Sequence, residues 1–425
     1  MKLTSVSGFK YPLQAGLFII ASVALVACGG SSNNSGSARY SPSNGQGTLN
    51  PPPSATGNSI PIVLDAGPRS SATVINIPYV SVTVCTPGAT GTTAACQTIN
   101  HVVLDTGSFG LRLLNSALYT NLNLPAVING NGRAIGECLP FAAGTTWGSV
   151  QLADIYLAGE VARSVPIQVI GGKPGGAATI PTDCSGTGTI TDDQASLGAN
   201  GILGIGLFTN DCDACLRTPI IPAAYYACTS QGCANTTVTQ SQVVKNPVAL
   251  FSQDNNGTLI VLPSVPSVGV TGSVTGTLIF GIGTQPNNAL NSAIAYPADA
   301  FGNIQTTYNN APSTKSFIDS GSNALFFSDA SIATCSNSTW AYCPAVDPTA
   351  LSATNVGAAG TPSALVHFSI VNLQKLSSNV VAANIGGTAL SSQFDWGLPF
   401  FFGRPVFTAI AGATTPSGPG PYWAY

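Results

Sequence analysis

Short apolar runs separated by turn residues dominate this chain from Ile62 onward. Residues 74–84 largely alternate between apolar and polar positions, and the pattern breaks at residues 86–88. Similar runs follow at residues 149–157, 165–170, 258–262, 277–280, 317–318, 364–370 and 400–410. A period of two with frequent Gly and Pro breaks is typical of β-strands. We therefore predict an all-β protein, with a short helix only around residues 222–226.

The composition favours the same class. Charged residues make up 7% of the 425 residues, against about 25% in an average globular protein. Strong helix formers are scarce, and the only glutamates are Glu137 and Glu160. The length is sufficient for two sizeable lobes. The net charge is −3 and no basic run occurs, so we expect no nucleic-acid partner.

The first residues have the pattern of a targeting segment. Lys2 and Lys10 precede an apolar stretch that is too short for a mature transmembrane helix. Its end, Leu25-Val26-Ala27-Cys28, resembles a bacterial lipobox, so we predict a lipoprotein signal peptide over residues 1–27 and a lipid on Cys28; ordinary secretion is the alternative. No Asp follows Cys28, and we expect an outer-membrane anchor in the cell envelope. Residues 28–60, rich in Ser, Asn, Gly and Pro, are predicted to form a flexible tether.

Ten cysteines remain when Cys28 is set aside, and an even number in an exported protein indicates disulfides. Proximity in sequence suggests the pairs Cys85–Cys96 and Cys335–Cys343, and elimination then suggests Cys138–Cys184. The other four form a cluster whose pairing stays open: Cys212, Cys215, Cys228 and Cys233. Disulfides are the main prediction for this cluster. Four thiolates can also bind zinc, and a redox role for the Cys-x-x-Cys is a weaker alternative.

Two similar strings lie about half the chain apart: Leu104-Asp105-Thr106-Gly107-Ser108 and Ile318-Asp319-Ser320-Gly321-Ser322. In each, an apolar run leads a carboxylate towards a buried position, and Gly lets backbone amides approach it closely. We predict that Asp105 and Asp319 meet in one catalytic site. The residues predicted to support them are Thr106, Gly107, Ser108, Ser320, Gly321 and Ser322.

Two carboxylates about 3 Å apart share one proton, since both cannot ionise cheaply. One then activates a water as a base while the other acts as an acid towards a carbonyl. This chemistry requires neither a metal nor a cofactor, and we predict none. The two histidines, His101 and His367, are not needed, and no Gly-x-Ser-x-Gly elbow indicates a serine nucleophile.

The order of these motifs resembles the pepsin-like, bilobal aspartic proteases. The similarity includes both Asp motifs, the element Gly201-Ile202-Leu203-Gly204, and Trp396-Gly397 near the end of the chain. The resemblance implies a two-lobed all-β fold with an active-site cleft between an N-terminal lobe (residues 61–268) and a C-terminal lobe (residues 269–425). The chain is also similar to a bacterial lipoprotein family without an assigned function.

Some positions depart from the pattern of that family. The family carries a Tyr on a β-hairpin flap that closes over the substrate, and here Phe141 occupies the corresponding position in residues 141–149. Phe141 can pack on a substrate but cannot donate a hydrogen bond, whereas Trp147 can. Packing in the core of the hairpin is an equal alternative for both. Arg112 stands where the family has a Trp.

The leading hypothesis is therefore a monomeric envelope endopeptidase that cleaves extended polypeptides. Apolar residues near the motifs, Phe109, Leu111, Phe141 and Phe326, indicate apolar side chains around the cut. A catalytically silent binding lipoprotein with the same fold is the second hypothesis. A surface adhesion or scaffold lipoprotein is the third.

Overall fold

Among the described residues, strands and isolated bridges account for 45% and helices for 8%, in a two-lobed arrangement, so the predicted all-β class is confirmed. The computed structural model describes residues 46–53, 57–68, 74–90, 94–389 and 392–425. The predicted signal peptide, Cys28 and most of the predicted tether lie outside these residues. Within the described ranges, no helix has both the length and the apolar character to cross a membrane.

The described residues form 28 strands. The strands of the first part of the chain are β1 (Ser59–Leu64), β2 (Tyr79–Cys85), β3 (Cys96–Asp105), β4 (Phe109–Leu114), β5 (Ala134–Phe141), β6 (Gly144–Leu157), β7 (Glu160–Ile170), β8 (Gly201–Ile205), β9 (Tyr225–Thr229), β10 (Gly232–Asn235), β11 (Gly257–Val261), β12 (Val270–Thr271) and β13 (Val274–Phe280). The remaining strands are β14 (Ala295–Pro297), β15 (Ile304–Tyr308), β16 (Ala311–Ile318), β17 (Leu325–Phe327), β18 (Thr334–Cys335), β19 (Ser338–Tyr342), β20 (Thr349–Val356), β21 (Ser363–Ile370), β22 (Val380–Ala382), β23 (Gly386–Thr388), β24 (Gln393–Trp396), β25 (Val406–Ala409), β26 (Thr414–Thr415), β27 (Gly418–Pro419) and β28 (Tyr422–Ala424).

The helices in the described ranges are short. The α-helices are α1 (Thr182–Ser185) and α2 (Gln194–Leu197), and the 3₁₀ turns are Asn115–Ala117, Pro174–Gly176, Ala214–Leu216, Pro247–Leu250, Pro286–Asn288, Leu373–Lys375 and Leu398–Phe401. The helix predicted around residues 222–226 is wrong. Tyr225 and Tyr226 begin β9, which pairs with β5 on one side and β10 on the other. Aromatic residues favour such a half-buried pleated surface, and the two ladders satisfy the backbone.

Two large sheets contain most of the strands. The larger has the order β10-β9-β5-β6-β7-β4-β8-β3-β2-β1-β13-β11-β25-β28-β14, and the smaller has the order β18-β19-β23-β17-β24-β16-β15-β20-β21. In the larger sheet β1 pairs with β13, which pairs with β11, which pairs with β25. Strands from both ends of the chain therefore meet in this sheet. The lobe boundary at residues 268/269 stays a prediction, and β11 and β13, on either side of it, are hydrogen-bonded to each other.

One three-strand unit occurs twice. In the first half β3 runs parallel to β8, and β8 pairs antiparallel with β4. In the second half β16 runs parallel to β24, and β24 pairs antiparallel with β17. Leu104 and Ile318, at equivalent places just before the two aspartates, are fully buried in the same core cluster. Burying a side chain of this size stabilises a fold by about 1.5–3 kcal/mol, which anchors the end of each strand.

Five disulfides connect the described cysteines, and the prediction of disulfides is confirmed. The pairs are Cys85–Cys96, Cys138–Cys184, Cys212–Cys215, Cys228–Cys233 and Cys335–Cys343. The cluster that the sequence left open thus forms two local bonds instead of one four-thiolate site. The Cys228–Cys233 bond closes the β9–β10 hairpin, in which these two residues face each other.

Candidate active site

The two Asp motifs lie at the carboxyl ends of β3 and β16, where the repeated units bring them together. Each motif turns tightly against the neighbouring parallel strand. A Cβ at Gly204, opposite Asp105, would lie 2.6 Å from the backbone nitrogen of Phe109, and one at Gly397 would lie 2.0 Å from the carbonyl oxygen of Ala324. The strands opposite the two motifs thus each contain an apolar residue followed by glycine, Leu203-Gly204 and Trp396-Gly397, and close backbone contact requires both glycines.

The second residue of each motif connects the two halves. The Thr106 hydroxyl donates to the carbonyl of Ile318 at 2.9 Å and accepts from the backbone N–H of Ser320 at 2.9 Å. The Ser320 hydroxyl does the reverse: it donates to the carbonyl of Leu104 at 2.7 Å and accepts from the Thr106 N–H at 3.1 Å. Four reciprocal hydrogen bonds with buried partners thus hold the loops at a fixed separation.

Asp105 is held by its own loop. The Gly107 N–H donates to Asp105 Oδ1 at 2.8 Å, and the Ser108 hydroxyl donates to Asp105 Oδ2. A Cβ on Gly107 would lie 2.6 Å from Cγ of Asp319. A Cβ here would push the Asp319 carboxyl away, whereas the glycine lets that carboxyl approach.

Asp319 has the equivalent environment. The Gly321 N–H donates to Asp319 Oδ1 at 2.8 Å, and the Ser322 hydroxyl donates to Asp319 Oδ2 at 2.9 Å. A Cβ on Gly321 would lie 2.6 Å from Asp105 Oδ1. The structure therefore brings together all eight residues of the two motifs that were predicted from the sequence.

The two carboxyls are hydrogen-bonded to each other and are 0% exposed. Burial and the negative charge of Asp319 raise the pKa of Asp105 well above its ordinary value, against the opposing hydrogen bonds of Ser108 and Gly107. Burial also raises the pKa of Asp319, while the hydrogen bonds from Asp105 and its own loop oppose that shift. Two buried carboxyls this close do not both ionise readily, so the arrangement favours one proton for the pair.

A third carboxyl, Asp395 on β24, lies beside the pair and was not predicted as a site residue. It is 2% exposed. Burial, and then the charges of Asp319 and Asp105, raise its pKa well above the ordinary value, and the Ser322 hydroxyl only partly opposes this. The sequence did contain a signal, because an acid occupied the apolar–Gly strand end at Asp395-Trp396-Gly397.

The predicted flap is a hairpin of β5 and β6, and it is attached to the body of the protein. Its strand β5 carries Cys138, whose disulfide partner Cys184 lies in α1. Near its tip, Thr145 donates its N–H to the carbonyl of Thr189 at 2.7 Å and accepts from the N–H of Thr191 at 2.9 Å. The hairpin is therefore held along one side by residues 184–191.

Phe141 and Trp147 lie at different places in this hairpin. Phe141 belongs to the main core cluster, and the guanidinium of Arg112 lies 6.0 Å from the centre of its ring. Trp147 packs edge-on against Tyr226 at 5.3 Å in a separate cluster with the Cys138–Cys184 bond. These contacts show Trp147 packed in a core cluster, as the alternative prediction had it. A contact of either residue with a substrate stays a prediction.

Arg112 forms a buried ionic cluster at the base of the hairpin, which the sequence did not reveal. It donates to Glu137 on β5 at 2.6 Å and to Asp211 at 2.9 Å. The Tyr225 hydroxyl donates to Asp211 at 2.7 Å. Burial and the charge of Glu137 raise the pKa of Asp211 well above its usual range, against the attraction of Arg112. The cluster therefore ties β5, β4 and β9 together below Phe141.

Asn76 connects the segment before β2 with the second half of the molecule. Its side chain donates to the carbonyls of Asn323 at 2.7 Å and Ala383 at 2.8 Å, and accepts from the Ala383 N–H at 2.9 Å. Asn323 directly follows the second motif. Two residues beyond Asn76, the carbonyl of Pro78 accepts from the N–H of Leu104, just before Asp105. This segment, residues 74–78, therefore runs past both motifs and fastens the halves to each other.

The molecule has the two-lobed, all-β fold of the pepsin-like aspartic proteinases. The crystal structure of the aspartic proteinase from Irpex lacteus is similar over 87% of this chain and 96% of that chain, with a TM-score of 0.50 and 15% sequence identity. This likeness confirms the predicted fold. The chain belongs to the protein family of unknown function DUF3443, whose model matches residues 54–425. No curated protein matches the sequence.

Proposed function

We propose that this protein is an aspartic endopeptidase in which Asp105 and Asp319 activate a water for peptide-bond hydrolysis. The observation that carries the proposal is the pair of buried carboxyls, each held by equivalent hydrogen bonds from its own loop. We assign Asp105 as the protonated carboxyl and Asp319 as the ionised one. Asp319, as the proton acceptor, takes a proton from the water. Asp105 donates its proton towards the oxygen of the peptide carbonyl, and the negative charge that develops there is neutralised.

The substrate would be an extended polypeptide. Of the four apolar residues that suggested apolar neighbours of the cut, Leu111 and Phe326 are fully buried. Phe109 is partly exposed and stacks edge-on with Phe208 at 5.3 Å. Phe109 is therefore the best-supported apolar contact, and Phe141 on the hairpin, which is 9% exposed, is the second.

A catalytically silent binding protein is the second candidate, and two observations favour it. Both catalytic carboxyls are fully covered, so a substrate reaches them only if the hairpin or the lobes move. The hairpin carries Phe141, which has no hydroxyl, and the Cys138–Cys184 bond restrains it. Binding without hydrolysis requires neither feature to change.

We also propose that the protein works in the cell envelope, anchored through a lipid on Cys28, with an outer-membrane location as the finer proposal. Five disulfides in the described part of the chain support an oxidising compartment. Metabolic labelling with a radioactive fatty acid tests the anchor. The label should enter the wild type and be lost in Cys28→Ala.

The catalytic proposal is tested by incubating the full chain, purified in detergent, with unfolded serum albumin from about pH 3 to 7. We expect the wild type to cleave, Asp105→Asn and Asp319→Asn to lose cleavage, and the control Asp192→Asn, on the exposed surface, to retain it. Equal cleavage by all four proteins would assign the activity to a contaminant. Cleavage by none, with tight binding of an uncleavable peptide, would establish the silent alternative.

A further inference from the structure

Asp395 is a buried acid without a counter-charge. Neither of its carboxyl oxygens has a hydrogen-bond partner of normal geometry among the described residues. The hydroxyl of Ser322 is nearby, but its single O–H is already donated to Asp319 at 2.9 Å. Buried carboxyls in proteins are almost always paired or hydrogen-bonded. An unpaired one next to a catalytic pair indicates a position for a ligand.

The neighbouring strands explain which way this carboxyl faces. On β24, Phe394 and Trp396 flank Asp395, and their rings, 4.4 Å apart, belong to the core cluster. Successive side chains of a strand point to opposite faces, so the Asp395 carboxyl points away from that core. The residues that pair with Asp395 on the neighbouring strands are Phe317 on β16 and Phe326 on β17, and neither carries a charge.

The charges that act on Asp395 come from the catalytic pair alone. Asp319 has the larger effect and Asp105 the smaller, and no Lys, Arg or His contributes. The equivalent position in the first half is Ile202 on β8. Asp395 pairs with Phe317, two residues before Asp319. In the same way, Ile202 pairs with Val103, two residues before Asp105. The acid is therefore a feature of one half, and the repeated scaffold does not require it.

We propose that Asp395 determines specificity, and that its carboxylate binds a basic side chain, lysine or arginine, next to the scissile bond of the polypeptide. This inference rests on the proposed function. Without a bound cation, burial beside Asp319 favours the protonated form of Asp395. A bound ammonium or guanidinium group supplies the missing counter-charge and donates to both carboxyl oxygens, and the proton of Asp395 leaves to solvent.

The test compares peptides that differ only in lysine or norleucine at the residues flanking the cut, after mapping the cut sites in unfolded albumin by mass spectrometry. A hydrogen bond to a charged group changes kcat/KM by about tenfold to a hundredfold. We expect the kcat/KM of the wild type to be at least about tenfold higher for the lysine peptide than for the norleucine peptide. Asp395→Ile, which copies the residue of the first half, and Asp395→Asn should lose the preference. Glu160→Gln, a change at a buried acid elsewhere, should keep it.

Equal cleavage of both peptides by the wild type, or an unchanged preference in Asp395→Ile, would overturn the inference and leave the proposed function intact. If the wild type cleaves no peptide, the proposed function fails, and the same pair is measured by calorimetry with a hydroxyethylene group in place of the scissile amide. Tighter binding of the lysine peptide, lost in Asp395→Ile, would support Asp395 as the recognition residue. Equal binding of both peptides would refute it.

Discussion

Replacing Asn76 by Gly tests whether residues 74–78 hold the two halves together. Asn76 has a φ of 60°, which glycine adopts without strain, so the substitution removes the side chain and leaves the backbone conformation available. Three hydrogen bonds are lost. The Ala383 carbonyl keeps a second donor, the N–H of Ile385 at 3.0 Å. The carbonyl of Asn323 and the N–H of Ala383 lose their side-chain partner.

Leaving a buried polar group without its partner costs about 1–3 kcal/mol, so the two groups predict a loss of about 2–6 kcal/mol in the free energy of unfolding. Urea denaturation followed by tryptophan fluorescence measures this loss. The control is Asn291→Gly, at an exposed asparagine with a φ of 49°, and we expect a change below about 0.5 kcal/mol there. If Asn76→Gly is no more destabilised than this control, the segment does not fasten the halves, and our interpretation of its contacts is refuted.

Three further predictions concern the site. Gly107→Ala should abolish cleavage with little loss of folding, because its Cβ would lie 2.6 Å from Cγ of Asp319; full activity would contradict the close approach of the carboxyls. Arg112→Met should lower the free energy of unfolding by about 3–5 kcal/mol, since two buried carboxyls lose their cation, whereas Lys375→Met, at a 3.6 Å ion pair with the partly exposed Asp347, should cost below about 1 kcal/mol. Burial raises the pKa of Asp395, so the folded protein binds a proton on this carboxyl more tightly than the unfolded chain does. The stabilisation from this proton is complete below the pKa of the unfolded chain, near about 4, and is lost as the pH rises through the pKa of the folded state. Between the two pKa values the loss is about 1.4 kcal/mol per pH unit. Urea titrations from acid to neutral pH should show that slope in the wild type and a weaker slope in Asp395→Asn.

The pairing of Asp105 with Asp319 was predictable because its signal is local and occurs twice. Each motif holds its own donors: Gly107 and Ser108 bind Asp105 within three residues. Strand composition was equally local, and most predicted runs became strands. The helix predicted near residue 222 failed because the strand at Tyr225 is stabilised by β5, which is far away in the sequence, as well as by the adjacent strand β10.

The contacts that tie the hairpin and the halves together could not be predicted, because they join residues distant in the chain. Arg112 meets Asp211 across 99 positions, and Asn76 meets Ala383 across 307. No pattern of hydrophobic and polar positions encodes which of many polar residues will meet in three dimensions. Asp395 differs, since an acid in an apolar strand end was visible, but its significance depends on the neighbouring Asp319.

The two halves share a scaffold but carry opposite charges in one equivalent pair of facing residues. In the first half Arg112 pairs across the ladder with Ile202, and in the second Phe326 pairs with Asp395. Arg112 is neutralised by its own buried acids, so it does not act as the counter-charge of the pair. Asp395 lies on the side of Asp319, and its ionisation without a cation would push the shared proton onto that residue. The proposed division of roles, with Asp105 as acid and Asp319 as base, therefore requires Asp395 to be protonated or paired. Under that proposal, a substrate with a basic residue is cleaved at a higher pH than a substrate with an apolar one.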